Sequence, residues 1–507
     1  MGLSDLNFLF RFLPVFLVLY ILCPAKYRNG IFFAASLLFC ALGSLEGALV
    51  LLCSLTVNYI LIRLMDFANQ YPRSRNAVYS SGSPKMSRNI GPHTEAVSPS
   101  IAGFPEMPWD IGVKDARPAD TGTYANPTGN TKMLSWSRTW LCLAILFNVG
   151  LLCSYKYAAG TLPPGISFYT FALLSADIDI YHRRERSPKS WLELGTCIAM
   201  FPKLLSGPIT EYHSFIGQIR SRETSGKKVE YGLSLMIIGL SFKVLIADTV
   251  GILWHDIQTV GFESISTPLA WMGMAAYSVQ LLFDFQGYSL MAVGLGHMLG
   301  FDLPQNFDHP YRSRSVSEYY RRWHISLGQW FRDYLYIPLG GSRAGTARTV
   351  LNLFIVWIVT GIWHGVTLNF LLWGLALGTF IVLEKLFLGS FLESHRLLSH
   401  LYLWLLIPLT WVIFAITDLN QLGIYFTRLF PFRGSGIAVN SKDWLLHGRS
   451  YLGFFLAALA VSCPLADTLW KKYWNTLPAK GILLALFWVC VYRIVNGMHN
   501  PFMYLNF

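Results

Sequence analysis

Long apolar stretches recur along this chain. Phe12–Cys23, Gly30–Leu45, Gly47–Ile62, Trp140–Cys153, Val350–Trp363 and Gly481–Val491 are among them. A helix that crosses the hydrocarbon core of a bilayer needs about 20 mainly apolar residues. Several of these runs are shorter, but polar residues within a span can extend them. The pattern predicts an all-α, polytopic integral membrane protein with about ten to twelve spans. The first run carries only Arg11 as a basic lead, has no small-residue cleavage site and is soon followed by another span. It reads as a retained first helix rather than a signal peptide.

Two segments break the pattern. Residues 69–132 are rich in Ser, Pro, Gly and Asn with mixed charges and little periodicity, the signature of a flexible polar loop. This divides the chain into N-terminal transmembrane helices (1–68), a polar loop (69–132) and a transmembrane core (133–507). Between Ser317 and Leu339, Tyr320, Trp323, Leu327, Trp330, Phe331 and Tyr334 recur at helical spacing, with Glu318, Arg322, Gln329 and Arg332 on the other side. That predicts one amphipathic helix at the membrane interface. Pro163-Pro164-Gly165 and Gly207-Pro208 interrupt apolar stretches. Each is read either as a re-entrant segment beside an internal site or as a short turn between ordinary helices.

Composition supports the membrane reading: 53% of residues are apolar and 13% charged, against about a quarter charged in soluble domains. The net charge of +12 is explained by cytoplasmic loops and anionic lipid rather than nucleic acid, because no basic soluble domain with interleaved aromatics exists. Lys26 and Arg28, the 69–132 loop, His182–Arg186, Arg220–Lys228 and Arg312–Arg348 all fit one cytoplasmic side, with the N-terminus outward. Eight cysteines are scattered mostly through apolar runs without a C-x-x-C pair. They read as small buried apolar residues, not a disulfide or zinc framework. No internal repeat of the kind many transporters carry is visible.

Two histidines are candidates for chemistry. His364 lies near the end of the run after Arg348, about sixteen residues or about 24 Å along a helix. A histidine at that depth is a functional hypothesis by default. A neutral imidazole can take the proton of a hydroxyl as it attacks a thioester, which is what acyl transfer requires. His324 lies at the edge of the aromatic stripe. The alternatives are a histidine bonded to a neighbouring helix, or a metal pair, for which no third ligand has convincing spacing. No Walker A sequence, G-x-S-x-G elbow or H-E-x-x-H occurs. Gly340-Gly341 is a lone glycine pair, weak as a phosphate loop and ordinary as a turn.

Several blocks together resemble the membrane-bound O-acyltransferases, in particular the bacterial alginate O-acetylation branch. They are Leu162–Phe171 (LPPGISFYTF), Phe201–Ile209 (FPKLLSGPI) and Phe283–Ser289 (FDFQGYS). The strongest begins at Asn306 and includes Tyr311-Arg312-Ser313, Arg321–Leu327 (RRWHISL), Phe331–Gly341 (FRDYLYIPLGG), Trp363-His364-Gly365 and Asn369–Gly374 (NFLLWG). Arg28-Asn29 and Pro501–Tyr504 also fit. The chain departs from the pattern in its long 69–132 segment, in fewer residues between Lys156-Tyr157 and Leu162, and in Leu290, where an acid is often found.

The resemblance implies a ring of helices around a tunnel. A donor thioester, acetyl-CoA in this branch, enters from the cytoplasm, and the acetyl group passes to an extracytoplasmic SGNH-type transferase that modifies a polysaccharide. It places the protein in a bacterial inner membrane, with His364 as general base and His324 orienting the base or the thioester. Asp284, Tyr288, Trp323, Asp333, Tyr336, Trp363 and Asn369 fall in the same blocks and are candidates for substrate binding. Arg321, Arg322, Arg332 and Arg343 are candidates for the donor phosphates, with snorkelling to the interface as the plain alternative. No metal and no bound cofactor is implied beyond acetyl-CoA as substrate. The competing functions are a polysaccharide or lipid-linked sugar exporter without chemistry and a lipid- or peptide-acylating relative.

Overall fold

A computed structural model of the chain describes residues 1–70, 131–158, 162–432, 439–498 and 502–503. The polar loop expected over 69–132 lies almost wholly outside the described residues. Twelve long helices carry the described part: α1 (Phe8–Leu22), α2 (Arg28–Gly43), α3 (Leu45–Gln70), α4 (Thr131–Tyr157), α5 (Ile166–Tyr181), α6 (Gly226–Val260), α7 (Thr267–Met298), α8 (Thr346–His364), α9 (Leu368–Ser394), α10 (Arg396–Ala415), α11 (Asp443–Val461) and α12 (Leu477–Val495). Eight of them are long and apolar enough to cross a membrane, namely α3, α4, α6 and α8 to α12. Each apolar run singled out from the sequence lies largely within one of the twelve, although Gly30–Leu45 passes the end of α2 at Gly43 and reaches the start of α3.

At the centre α6 and α7 run side by side at close range. A Cβ on Gly232 or Gly294 would strike the backbone carbonyl of the other, and Gly239 and Gly287 oppose each other in the same way. Two glycines seven residues apart on each helix thus form a seam of small residues, the device that lets membrane helices pack without a hydrophobic drive. Two aromatic-rich cores flank the pair. One gathers α1, α2, α3 and the 191–219 segment, the other α8, α9, α10 and the 307–336 segment.

The breaks resolve differently. The chain enters at Ser190, passes through short helices Trp191–Ile198 and Phe201–Leu204, and returns through Gly207-Pro208 to a helix Tyr212–Arg220. Arg220 pairs with Glu193 (2.6 Å) and Glu185 (3.2 Å), so both ends lie together. The tip meanwhile packs where a Cβ on Gly165 would strike the Leu204 carbonyl, at the opposite end of α5. Gly207-Pro208 therefore sits in a re-entrant segment, whereas Pro163–Gly165 is the turn leading into α5. The basic segments interlock at one end: Arg222 bonds Asn29 (2.7 Å) and Tyr20 (2.9 Å), and Lys228 pairs with Asp302 (3.2 Å).

Two expectations are corrected. Ser317–Leu339 is not a single interfacial helix. It is two short helices, Val316–Arg322 and Ile325–Phe331, followed by a wider turn at Arg332–Tyr336, and His324 between them has a left-handed backbone (φ 46°). The aromatic stripe is buried in the protein core rather than laid on lipid, since neighbouring helices supply more aromatic surface than a bilayer interface does. The cysteines also divide: Cys40, Cys197 and Cys490 are buried, but Cys53, Cys142, Cys153 and Cys463 are exposed on the outer surface of the helices. A small apolar side chain is as well solvated by lipid tails as by a core, so apolar sequence context does not separate the two.

Candidate functional site

His364 is the last residue of α8, whose uninterrupted apolar run keeps it helical from Thr346. The helix stops at Gly365, where a Cβ would strike the ring of Phe370. A Cβ on Gly361 would lie 2.6 Å from the Phe370 carbonyl, and one on Gly374 would strike that of Trp357. Three glycines thus press α8 against α9 just where His364 sits. Its imidazole is buried among Trp363 (4.5 Å between ring centres), Phe414 (5.0 Å), Trp373 (5.1 Å) and Phe370 (6.3 Å). Asn369 donates to the carbonyls of Ile413 and Phe414 (3.1 and 3.0 Å), tying the start of α9 to the end of α10 and setting Phe414 against the histidine.

The carbonyls at a helix C-terminus have no partner within the helix. Here α4 provides them: Lys156 donates to the Trp363 carbonyl and Tyr157 to that of Ile362 (2.5 Å). The Lys156 ammonium also stands 5.2 Å from the centre of the Trp363 indole.

His324 is held differently. Its Nδ1 lies 3.1 Å from Asn306 Oδ1, and its ring stands edge to face with Phe285 (4.6 Å). Asn306 Oδ1 also receives the Ser326 backbone N–H (3.2 Å) and hydroxyl (3.0 Å), while Asn306 Nδ2 donates to Ser289 (3.1 Å). Ser326 Oγ in turn accepts the N–H of Ile209 from the re-entrant segment (3.0 Å). Lys156 and His324 both lie near enough to His364 to act on it electrostatically.

The remaining sequence candidates separate. Trp323 and Trp363 belong to the aromatic wall, Trp323 packing on Trp411 (5.1 Å) and Trp363 on Phe171 (5.4 Å). Asp284 is instead paired with buried Lys243 (2.7 Å), which also holds Asp248 (2.6 Å), and accepts the Met503 N–H (2.9 Å). Tyr288 is buried against Phe502 (4.7 Å). These two secure the C-terminal segment to α6 and α7. Tyr336 is buried in the core. Asp333 pairs with Arg332 (3.3 Å) at the basic end. Burial, with the charge of Asp333 next, pushes the neighbouring Glu211 carboxyl up to about 7. A hydrogen bond to Asp179 raises His213 beside it.

Of the four arginines, Arg321 and Arg322 line a cavity of about 640 Å³ between the Val316–Arg322 helix, the end of α9 and the start of α10, whereas Arg332 and Arg343 do not. Arg312, Arg314, Lys385 and Arg396 complete its basic lining. Two of its three carboxylates, Glu384 and Glu318, are engaged, and Glu393 is the third. Glu384 caps the short helix through the Val316 and Ser317 N–H groups (2.5 and 2.9 Å), and Glu318 pairs with Arg322 (3.1 Å). Among the described residues Arg314 and Arg321 have no ion pair, leaving guanidinium groups suited to phosphate. Gly340-Gly341 is a left-handed turn whose Leu339 and Gly341 carbonyls are held by Asn352 (3.2 and 3.1 Å). The sequence places Asn306 at the start of a block and Lys156 beside a departure from the pattern, and gives neither a role. Their partners are 18 and about 200 residues away, and no local pattern signals either contact.

The family model described as MBOAT, membrane-bound O-acyltransferase family, matches residues 130–396. The chain is 32% identical to a probable alginate O-acetylase of Pseudomonas syringae pv. tomato, over 91% of this chain and 80% of that protein. It is 32% identical to a probable alginate O-acetylase of Pseudomonas aeruginosa, covering 85% and 75%. A peptidoglycan O-acetyltransferase of Helicobacter pylori is 30% identical over 57% of this chain and 64% of its own length.

Proposed function

The chain belongs to the membrane-bound O-acyltransferase family and is an O-acyltransferase of a multi-pass membrane architecture, and from this premise we propose that it takes an acetyl group from acetyl-CoA on the cytoplasmic side of a bacterial inner membrane and hands it on for O-acetylation of an extracytoplasmic polysaccharide. An SGNH-type extracytoplasmic transferase is the proposed receiver. The names of the relatives make alginate the first polymer to test.

The observation that carries this reading is the buried His364 at the far end of an unbroken spanning helix. The basic cavity lies towards the other end, among the segments that carry the positive charge. Arg314, Arg321 and Arg322 would hold the donor phosphates there. The neutral imidazole of His364 takes the proton of the attacking hydroxyl as its oxygen bonds to the thioester carbonyl carbon. The C–S bond breaks, and the proton leaves with the sulfur as thiol. The aromatic walls exclude the water that would otherwise hydrolyse the thioester.

Purified protein in lipid nanodiscs should release free CoA from labelled acetyl-CoA and label a co-reconstituted SGNH-type partner or its oligosaccharide. Folded protein that neither consumes acetyl-CoA nor transfers label, with or without the partner, would overturn the reading and leave the exporter.

A further inference from the structure

The hydrogen bonds around Asn306 determine where the proton of His324 sits. An amide side chain can be placed either way round, and an imidazole can carry its proton on either nitrogen, so neither group alone settles the question. A backbone N–H settles it, because it can only donate. The Ser326 N–H points at the Asn306 side chain (3.2 Å), so the atom facing it is the amide oxygen. Asn306 Nδ2 then faces Ser289 Oγ (3.1 Å), a competent acceptor. With the oxygen fixed, the 3.1 Å contact to His324 Nδ1 is a hydrogen bond only if Nδ1 carries the proton. In a neutral imidazole Nε2 is then a lone pair. That nitrogen is buried and has no hydrogen-bond partner among the described residues.

We propose that Asn306 is a positioning residue that holds His324 as its Nδ1–H tautomer, so that Nε2 faces the reaction space as an obligate acceptor. The left-handed backbone at His324 and the Ile325 N–H bonded to the Asn306 carbonyl (3.0 Å) keep ring and amide in register. Ser326 Oγ and its bond from Ile209 extend the network into the re-entrant segment, so the tip of that segment braces the tautomer. The role in turnover rests on the acyl-transfer reading above; the tautomer itself does not.

The test therefore has two arms. In full-length protein labelled with ¹⁵N-histidine and held in nanodiscs, the signal lost in His324→Gln identifies the ring. Its shifts should report a protonated Nδ1 and an unprotonated Nε2. Asn306→Asp keeps the acceptor oxygen and should keep both that signature and turnover within a few-fold. Asn306→Leu should mix the tautomers and lower kcat at least about tenfold with the KM for acetyl-CoA unchanged, since losing a tautomer-setting partner is severe in comparable sites. Ser289→Ala, which removes only the partner of Nδ2, separates loss of the tautomer from general damage and should leave the signature intact. A wild-type Nε2–H signal overturns the proposal whatever the activity. An intact signature in folded Asn306→Leu also overturns it. The predicted signature in a protein that does not turn over acetyl-CoA would sink the acyl-transfer reading instead.

Discussion

The two buried histidines sit in opposite kinds of surroundings. His364 is held by shape: four aromatic rings surround it, and three glycines bring the two helices that carry most of those rings into contact. His324 is held by polarity: one amide, two serines and a backbone N–H from a distant re-entrant segment form a closed set of hydrogen bonds. Aromatic packing fixes where an imidazole sits by shape, without the directional bonds that single out one nitrogen at His324. A directional network commits one nitrogen and leaves the other open. On the proposed reading the first is the base, which cycles between protonation states, and the second orients a partner.

The largest effect should come from removing the cycling group. His364→Gln should insert and fold, yet transfer acetyl groups about 100- to 10,000-fold more slowly, the range general-base catalysis supplies. Acetate on the polymer, measured beside membrane protein levels, checks it, and a fully active glutamine variant would make His364 a packing residue only. Next comes shape. Gly365→Ala forces a methyl group into Phe370, and overpacking of this kind costs about 2–3 kcal/mol. It should lower the Tm in detergent and disable the His364 side while leaving the His324 ring signal unmoved.

Smaller still is Ser326→Ala, which strips one donor from Asn306 and leaves the buried Ile209 N–H unsatisfied, costing about 1–2 kcal/mol. It should disturb the His324 side and spare the aromatic cage. A larger Tm loss here than in Gly365→Ala would reverse the comparison. A last effect, which appears only as pH rises, lies at the basic end. Glu211 titrates near 7 when folded, raised by burial and by Asp333, so its contribution to stability is full below its unfolded value near 4.5 and is lost as pH rises through about 7. Glu211→Gln should therefore gain on the wild type in thermal stability at pH 8 and show no such gain at pH 5. Equal differences at both values would remove Glu211 from the pH response.

The apolar runs were legible because a spanning helix must satisfy its own backbone within one continuous segment, so its length and apolarity are written locally. His364 was legible for the same reason: a histidine at the end of such a run stands out. The stretch after Ser317 was misread because helical periodicity records that one side is apolar, not whether lipid or protein covers it. The break at Trp323-His324 comes from a left-handed residue that no glycine announces. Asp284 reads in sequence like a site residue, yet its position opposite Lys243 makes it part of a buried ion pair that anchors the C-terminal segment.

The sequence by itself determined that the chain is an all-α membrane protein, which blocks resemble an acyltransferase family and which two histidines are candidates for chemistry, because each of these is a property of consecutive residues or of composition. Only the tertiary structure decided which arginines share a cavity, that Gly207-Pro208 is re-entrant while Pro163–Gly165 is a turn, and that Asn306 faces His324. Those depend on helices distant in the chain meeting at the glycine seams and on which atom of an amide faces a donor, and contacts of that kind leave no period, run or spacing in the order of the residues.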